Sequence, residues 1–370
     1  MTSLRSVFAS ATAIVTFSLT VPTVSWAEQP IPVVATFSIL GDMVERIGGE
    51  HIALTTLVGP DGDAHVYQPT PKAARSVAEA DVLFMNGLEF EGWLERLAEA
   101  ASFNGAMVVA TNGIVPIAFE EHEDEHEEHD EDEEHDEHEE HDEHEEHDEH
   151  EEHDEDEEHD EDEEHDEHEE HEEHDDHEEH DDHEEHDDHA GHDHGTFDPH
   201  AWQSLDNAVI YANNIAAGLA QADPANASAY YINRAVFVDQ IVALKSDVDA
   251  MMGALPADKR TVVTPHDAFG YFAAAYDLTF EAPQGMSTES EVSAADVAAL
   301  ITQIRRDSIS AVFIESITDN RMMEQIANET GATIGGTLYS DALSGETGPA
   351  STYLDMIRHN ATTLSDALGS

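Results

Sequence analysis

Apolar and polar positions along the chain follow two periods in alternation. The apolar run PVVATFS (32–38) predicts a short buried strand. In ILGDMVERIGGE (39–50), Ile39, Leu40, Met43, Val44 and Ile47 share one helical face, and Gly48 and Gly49 end the helix. IALTTLV (52–58) reads as a second strand, and a turn-rich loop, GPDGDAHVYQPTP, follows it. Pro71 opens the helix PKAARSVAEA, and DVLFMNG and MVVAT supply further strands. This order of strands and helices predicts a parallel sheet with helices on its faces.

The pattern stops at residue 120 and resumes near FDPHAW (197–202) with a helix from about Asp206. A helical stretch from about 224 to 252 is longer than a typical globular helix of about 10–14 residues, so it is suited to joining two lobes. RTVVTPHDAFGYFAAAYD then reads as strand, turn and helix. SEVSAADVAALITQIRR reads as a helix with Ser293 as N-cap, and ISAVFIES as a strand. NRMMEQIANETG is a helix, and ATIGGTLYSDALS is a strand ending near Asp341. The fold class expected is α/β, with two lobes, each a parallel sheet flanked by helices.

The N-terminus changes the picture of compartment. Arg5 precedes an apolar, small-residue stretch that ends in Ser25-Trp26-Ala27, the pattern of a secretory signal peptide over residues 1–27. The chain has no cysteine, so it offers neither a disulfide framework nor a site for cysteine-linked lipid. The periplasm is the expected location.

Charge is concentrated in one place. Residues 120–194 hold 51 acidic residues, 22 histidines and no basic residue. The rest of the 370-residue chain has 34 acidic and 13 basic residues. With no basic footprint, nucleic acid is excluded as a partner. The segment repeats hexads such as EEHDEH and HEEHDD and has almost no apolar surface to offset chain entropy, so it is expected to be disordered without metal. An acidic spacer would not need histidine at every third position. Imidazole among carboxylates suits zinc, copper or nickel, held in many weak, exchangeable sites.

Outside that segment lie five histidines: His51, His65, His200, His266 and His359. His65, His200 and His266 each fall just after a strand or at a loop-to-helix turn, as does Asp341. In parallel sheets, ligands bind beyond the carboxyl ends of the strands. Asp63, Asp198 and Asp267 flank the three histidines, and metal-bound imidazoles usually donate their second N–H to a carboxylate or carbonyl. Three histidines and one carboxylate form a reasonable tetrahedral zinc set. His51, between helix and strand, and His359, on the terminal helix, are read as non-ligands.

The motifs GPDGDAHVYQPTP, FDPHAW, TPHDAFGYF and LYSDALS, in this order, together with GMSTESEVSAADVAAL, resemble the metal-binding solute receptors of ABC importers. The ZnuA-like zinc group is the nearest match, with the TroA-like and manganese receptors related to it. The resemblance covers essentially all of 28–370, including the acid-histidine insert. It implies a signal peptide at 1–27, an N-terminal lobe from 28–119 plus 195–223, and a disordered insert at 120–194. A linking helix at 224–253 and a C-terminal lobe at 254–370 complete the division. The implied metal ligands, in the cleft between the lobes, are His65 and His200 from the first lobe and His266 and Asp341 from the second.

The function so implied is capture of Zn2+ in the periplasm and delivery to an ABC permease of the inner membrane, with the insert assisting capture. A periplasmic metallochaperone is a further candidate partner, and the chain is expected to be monomeric. Manganese relatives carry a carboxylate where this chain has His266, and histidine there favours zinc. Many zinc relatives lack a counterpart to Asp341, which keeps Mn2+ as the alternative cargo. A periplasmic metal buffer is the alternative role. An enzyme would need an open metal position beside a general base. Asp63, Glu289 and Glu291 are available carboxylates, but no HExxH or other catalytic spacing is present, so no catalytic residue is assigned.

Overall fold

The computed structural model describes residues 29–118, 197–289 and 292–369. The expected leader at 1–27, the acid-histidine segment at 120–194 and Glu291 lie outside the described residues. The remainder forms two parallel four-stranded sheets flanked by helices.

In the first lobe, β1 (Ile31–Phe37) runs into α1 (Ser38–Gly48), and β2 (Ile52–Val58) pairs parallel to β1. Next come α2 (Pro71–Glu79), β3 (Val82–Met85), α3 (Leu94–Ala100) and β4 (Ala106–Val109). The strand order is β2-β1-β3-β4. β1 is apolar on both faces because helices cover both faces of the sheet, as its buried Val33, Val34, Ala35 and Phe37 show. Thr70 caps α2, its hydroxyl accepting from Ala73 N, with Pro71 in the first turn. α4 (Leu205–Ala222) packs on β3 and β4. Gly218 permits that approach, since a Cβ there would lie 2.7 Å from Val108 Cγ2.

α5 (Ala227–Gly253) follows and packs on α1, α4 and α6 (Gly270–Tyr276), as well as on the terminal α9 (Tyr353–Leu368). Its inner face is Tyr230, Phe237, Ile241, Leu244, Val248 and Met252. The second lobe comprises β5 (Thr261–Val263), β6 (Thr279–Glu281), α7 (Ala294–Asp307), β7 (Ala311–Glu315), α8 (Arg321–Thr330) and β8 (Thr333–Leu338), besides α6 and α9. Its strand order is β6-β5-β7-β8, which repeats the topology of the first sheet. In each sheet the chain reverses direction of winding at the first strand. A crevice at the carboxyl ends follows from that reversal.

Two elements exceed the sequence expectation. α3 is a seven-residue helix, too short for its periodicity to stand out. β6 is a three-residue edge strand paired only with β5. β8 also ends at Leu338, so Asp341 sits in the loop beyond it.

Candidate metal centre

His65 lies in the loop from β2 to α2. The chain turns there through Asp61, whose φ is 56°, and through Gly62, whose N–H donates to Gly59 O. A side chain at Gly62 would press within 2.9 Å of Val58. Asp63 Oδ1 then accepts the backbone N–H of His65 at 2.9 Å, an Asx-turn that fixes where the imidazole leaves the loop.

His200 repeats the device. Asp198 Oδ1 accepts its backbone N–H at 2.8 Å and also lies 2.8 Å from its Nδ1. The single carboxylate orients both main chain and ring, leaving Nε2 to face inward. His266 follows β5, and its Nδ1 lies 2.5 Å from Glu315 Oε2, at the end of β7. Glu315 also accepts from the backbone N–H of His266 at 3.3 Å and from Ser340 Oγ at 2.8 Å. It therefore ties the loop of His266 to the residue preceding Asp341.

The four expected side chains converge. The potential ligand atoms of His65, His200, His266 and Asp341 all lie within 4.8 Å of one another. Asp341 Oδ2 is 3.3 Å from His65 Nε2 and 3.1 Å from His266 Nε2, and Oδ1 is 3.5 Å from His200 Nε2. Donors about 2.0–2.1 Å from a tetrahedral ion stand roughly 3.3 Å apart, so small movements would close this set on a metal. His65 Nε2, His200 Nε2 and Asp341 Oδ1 are buried without a hydrogen-bond partner. Buried acceptors turned toward one another call for a cation between them.

The surroundings sharpen this demand. Phe90 and Trp202 pack their rings at 4.8 Å from His65 and 5.4 Å from His200, making a dry wall. Burial disfavours charge on His200, but Asp341 and Asp198 outweigh it and raise its pKa above the ordinary 6.5. For His266 burial is again the largest effect, and Glu315 and Asp341 together carry the pKa well above 6.5. Asp341 is held well below its ordinary range, because His200 and His266 outweigh its burial. The carboxylates thus favour positive charge at the point where the four side chains meet.

Hydrogen bonds from both lobes meet around the cluster. Trp202 Nε1 and Gln203 Nε2 donate to Ser340 O at 2.9 and 2.8 Å. Asp61 N–H donates to Leu343 O, and Thr288 Oγ1 donates to Asp63 Oδ2 at 2.6 Å.

His51 and His359 lie outside the cluster. The ring of His51 stands against Tyr230, and His359 Nε2 lies 3.0 Å from Thr337 O. Of the flanking aspartates, Asp198 meets an imidazole, whereas Asp63 meets the backbone of His65 and the hydroxyl of Thr288. The carboxylate on His266 is Glu315 rather than the adjacent Asp267. Its sequence signal is a glutamate closing the otherwise apolar strand AVFIE.

Comparison with known proteins places the fold and the family. The chain is 28% identical to the iron-binding protein YfeA of Yersinia pestis, over 96% of this chain and 94% of that protein. A mutant, manganese-bound periplasmic metal-binding protein of Candidatus Liberibacter asiaticus is 27% identical, with a TM-score of 0.66 over 91% of this chain and 98% of that one. The periplasmic zinc-binding protein TroA of Treponema pallidum shares the fold, with a TM-score of 0.69 at 24% identity over 92% of this chain and 99% of that one. The family model described as zinc-uptake complex component A, periplasmic, matches residues 33–367. That span takes in both sheets and all four converging side chains, and the chain accordingly belongs to the ZnuA family: it is a metal-binding, substrate-binding protein of ABC transport and not an enzyme.

Proposed function

We propose that this protein captures zinc in the periplasm through His65, His200, His266 and Asp341, and delivers it to an ABC permease of the inner membrane. The observation that carries this reading is the convergence of three imidazole nitrogens and one carboxylate, buried and short of partners. Three nitrogen donors to one oxygen suit zinc, whereas manganese prefers oxygen-rich sets. The family description supports zinc as well. Manganese is the second reading, favoured by Asp341 and by the manganese-bound relative.

On this account residues 1–27 are a leader, and the lobes formed by 28–119 with 195–223 and by 254–370 close on the ion about the helix at 224–253. The protein works as a monomer, loaded directly or by a metallochaperone. Residues 120–194 assist: their weak sites raise the local zinc concentration near the cleft. Tethering supplies about millimolar effective concentration for short linkers and less for longer ones, so the gain appears when zinc is scarce.

The test is competition against a chelator for zinc, manganese and iron, on the whole mature protein and on a form lacking 120–194. One tight zinc should survive the deletion while weaker ones vanish. Loss of all tight binding, or a manganese affinity above that for zinc, would reject the reading. Growth on a chelator series then isolates the segment's contribution, which should show only at the lowest zinc.

A further inference from the structure

The two chain ends flanking residues 119–196 meet as an antiparallel pair, with Ala118 opposite Phe197 and, one step further in, Ile117 opposite Asp198. Asp198 N–H donates to Ile117 O at 2.9 Å. In an ordinary pair of this kind the second bond would run from Ile117 N–H to Asp198 O. Here the phenol of Tyr271 occupies that place. Its oxygen accepts from Ile117 N–H at 3.2 Å and donates to Asp198 O at 3.0 Å. Tyr271 is 5% exposed and stands on α6, five residues beyond His266.

The contact is more than a stitch between strands. Asp198 is the residue whose carboxylate fixes both the backbone and the ring of His200. Its carboxylate is also confined from the other side, since a Cβ on Gly270, next to Tyr271, would lie 2.5 Å from Asp198 Oδ2. One hydroxyl therefore connects the stem of the insert, the backbone of the residue whose carboxylate orients His200, and the helix that follows His266.

We infer that Tyr271 is a positioning residue for metal capture, locking the insert's stem and His200 into one unit with the second lobe. The inference rests on the reading of His200 as a metal ligand. Its consequence is that the stem belongs to the cleft: Ile117 and Asp198 must stay paired for His200 to be presented.

Tyr271→Phe removes one oxygen and keeps the ring. In the mature full-length protein, zinc release into excess chelator should quicken about ten-fold, as for loss of an orienting partner. With Co2+ as a spectroscopic probe, the visible ligand-field bands should shift because His200 no longer holds its angle. Leu97→Ala, in α3 away from the site, serves as a control that loses stability without touching the stem. A Tyr271→Phe protein that loses thermal stability like the control but keeps the wild-type cobalt spectrum and zinc release rate would overturn the inference. Failure of the wild-type protein to give a cobalt spectrum of nitrogen-rich ligation would instead reject the metal site itself.

Discussion

Each converging histidine reaches its position through a different carboxylate, and those carboxylates carry much of the chemistry. Asp63 holds only the main chain of His65, Asp198 holds main chain and ring of His200, and Glu315 holds His266 while accepting from Ser340. Outer carboxylates of this kind are typically worth about 10–100-fold in metal affinity. Glu315→Gln and Asp198→Asn should each weaken zinc by that order in chelator competition, and Asp63→Asn by less. Alanine at His65, His200 or His266 should cost more than any of these, and Asp341→Ala less than a histidine if water fills the fourth place. The proton balance of the same residues predicts opposite pH trends for loaded and empty protein. The pKa values of His200 and His266 are raised on folding, so their stabilisation is complete below 6.5 and fades as pH rises through the folded values. That of Asp341 is lowered, so its contribution holds above 3.8 and is lost only as pH falls through its folded value. Metal-free protein should therefore melt higher at about pH 6 than at about pH 8, while the increment in Tm from added zinc shrinks over the same descent, because protons and zinc compete for imidazole. Calorimetry with and without zinc measures both; a metal-free Tm that falls on acidification from pH 8 to 6 would contradict the assignment.

At the scale of elements, most helices and strands were legible, short ones such as α6 and β5 included, and α3 and β6 were not. α1, α2, α7 and α8 carry apolar stripes and punctuating Pro, Gly or Ser, and Ser293 does cap α7 in a capping box with Asp296. Ser293→Ala should cost about 1 kcal/mol of stability and leave zinc affinity unchanged, because the cap is exposed. The helix α3 shows too few turns to declare a period, and β6 is a strand only because β5 lies beside it. The site was legible for a related reason. His65, His266 and Asp341 sit in the loops that follow β2, β5 and β8, and His200 at the turn that leads into α4, places that sequence locates well in a βα alternation. Glu315 was missed because it belongs to a strand distant in sequence from His266, and only the pairing of β5 with β7 brings them together.

For the whole molecule, the two sheets repeat one strand order, and each lobe supplies two of the four side chains that meet at the candidate metal centre. Hydrogen bonds from Trp202 and Gln203 to Ser340, and from Thr288 to Asp63, close the same junction. A ligand bound only by the folded, closed protein stabilises it by about 4 kcal/mol at a thousand times its Kd. Zinc should accordingly raise Tm in the protein with all four ligands intact and fail to do so in His200→Ala, read by thermal melting at fixed protein concentration. The central claim is that one zinc is held by three imidazoles and Asp341. It is tested most directly by X-ray absorption at the zinc edge, on protein lacking residues 120–194 and loaded with a single equivalent. Three imidazole nitrogens at about 2.0–2.1 Å and one carboxylate oxygen at a similar distance are the predicted shell. A shell of oxygens with one imidazole or none would contradict it.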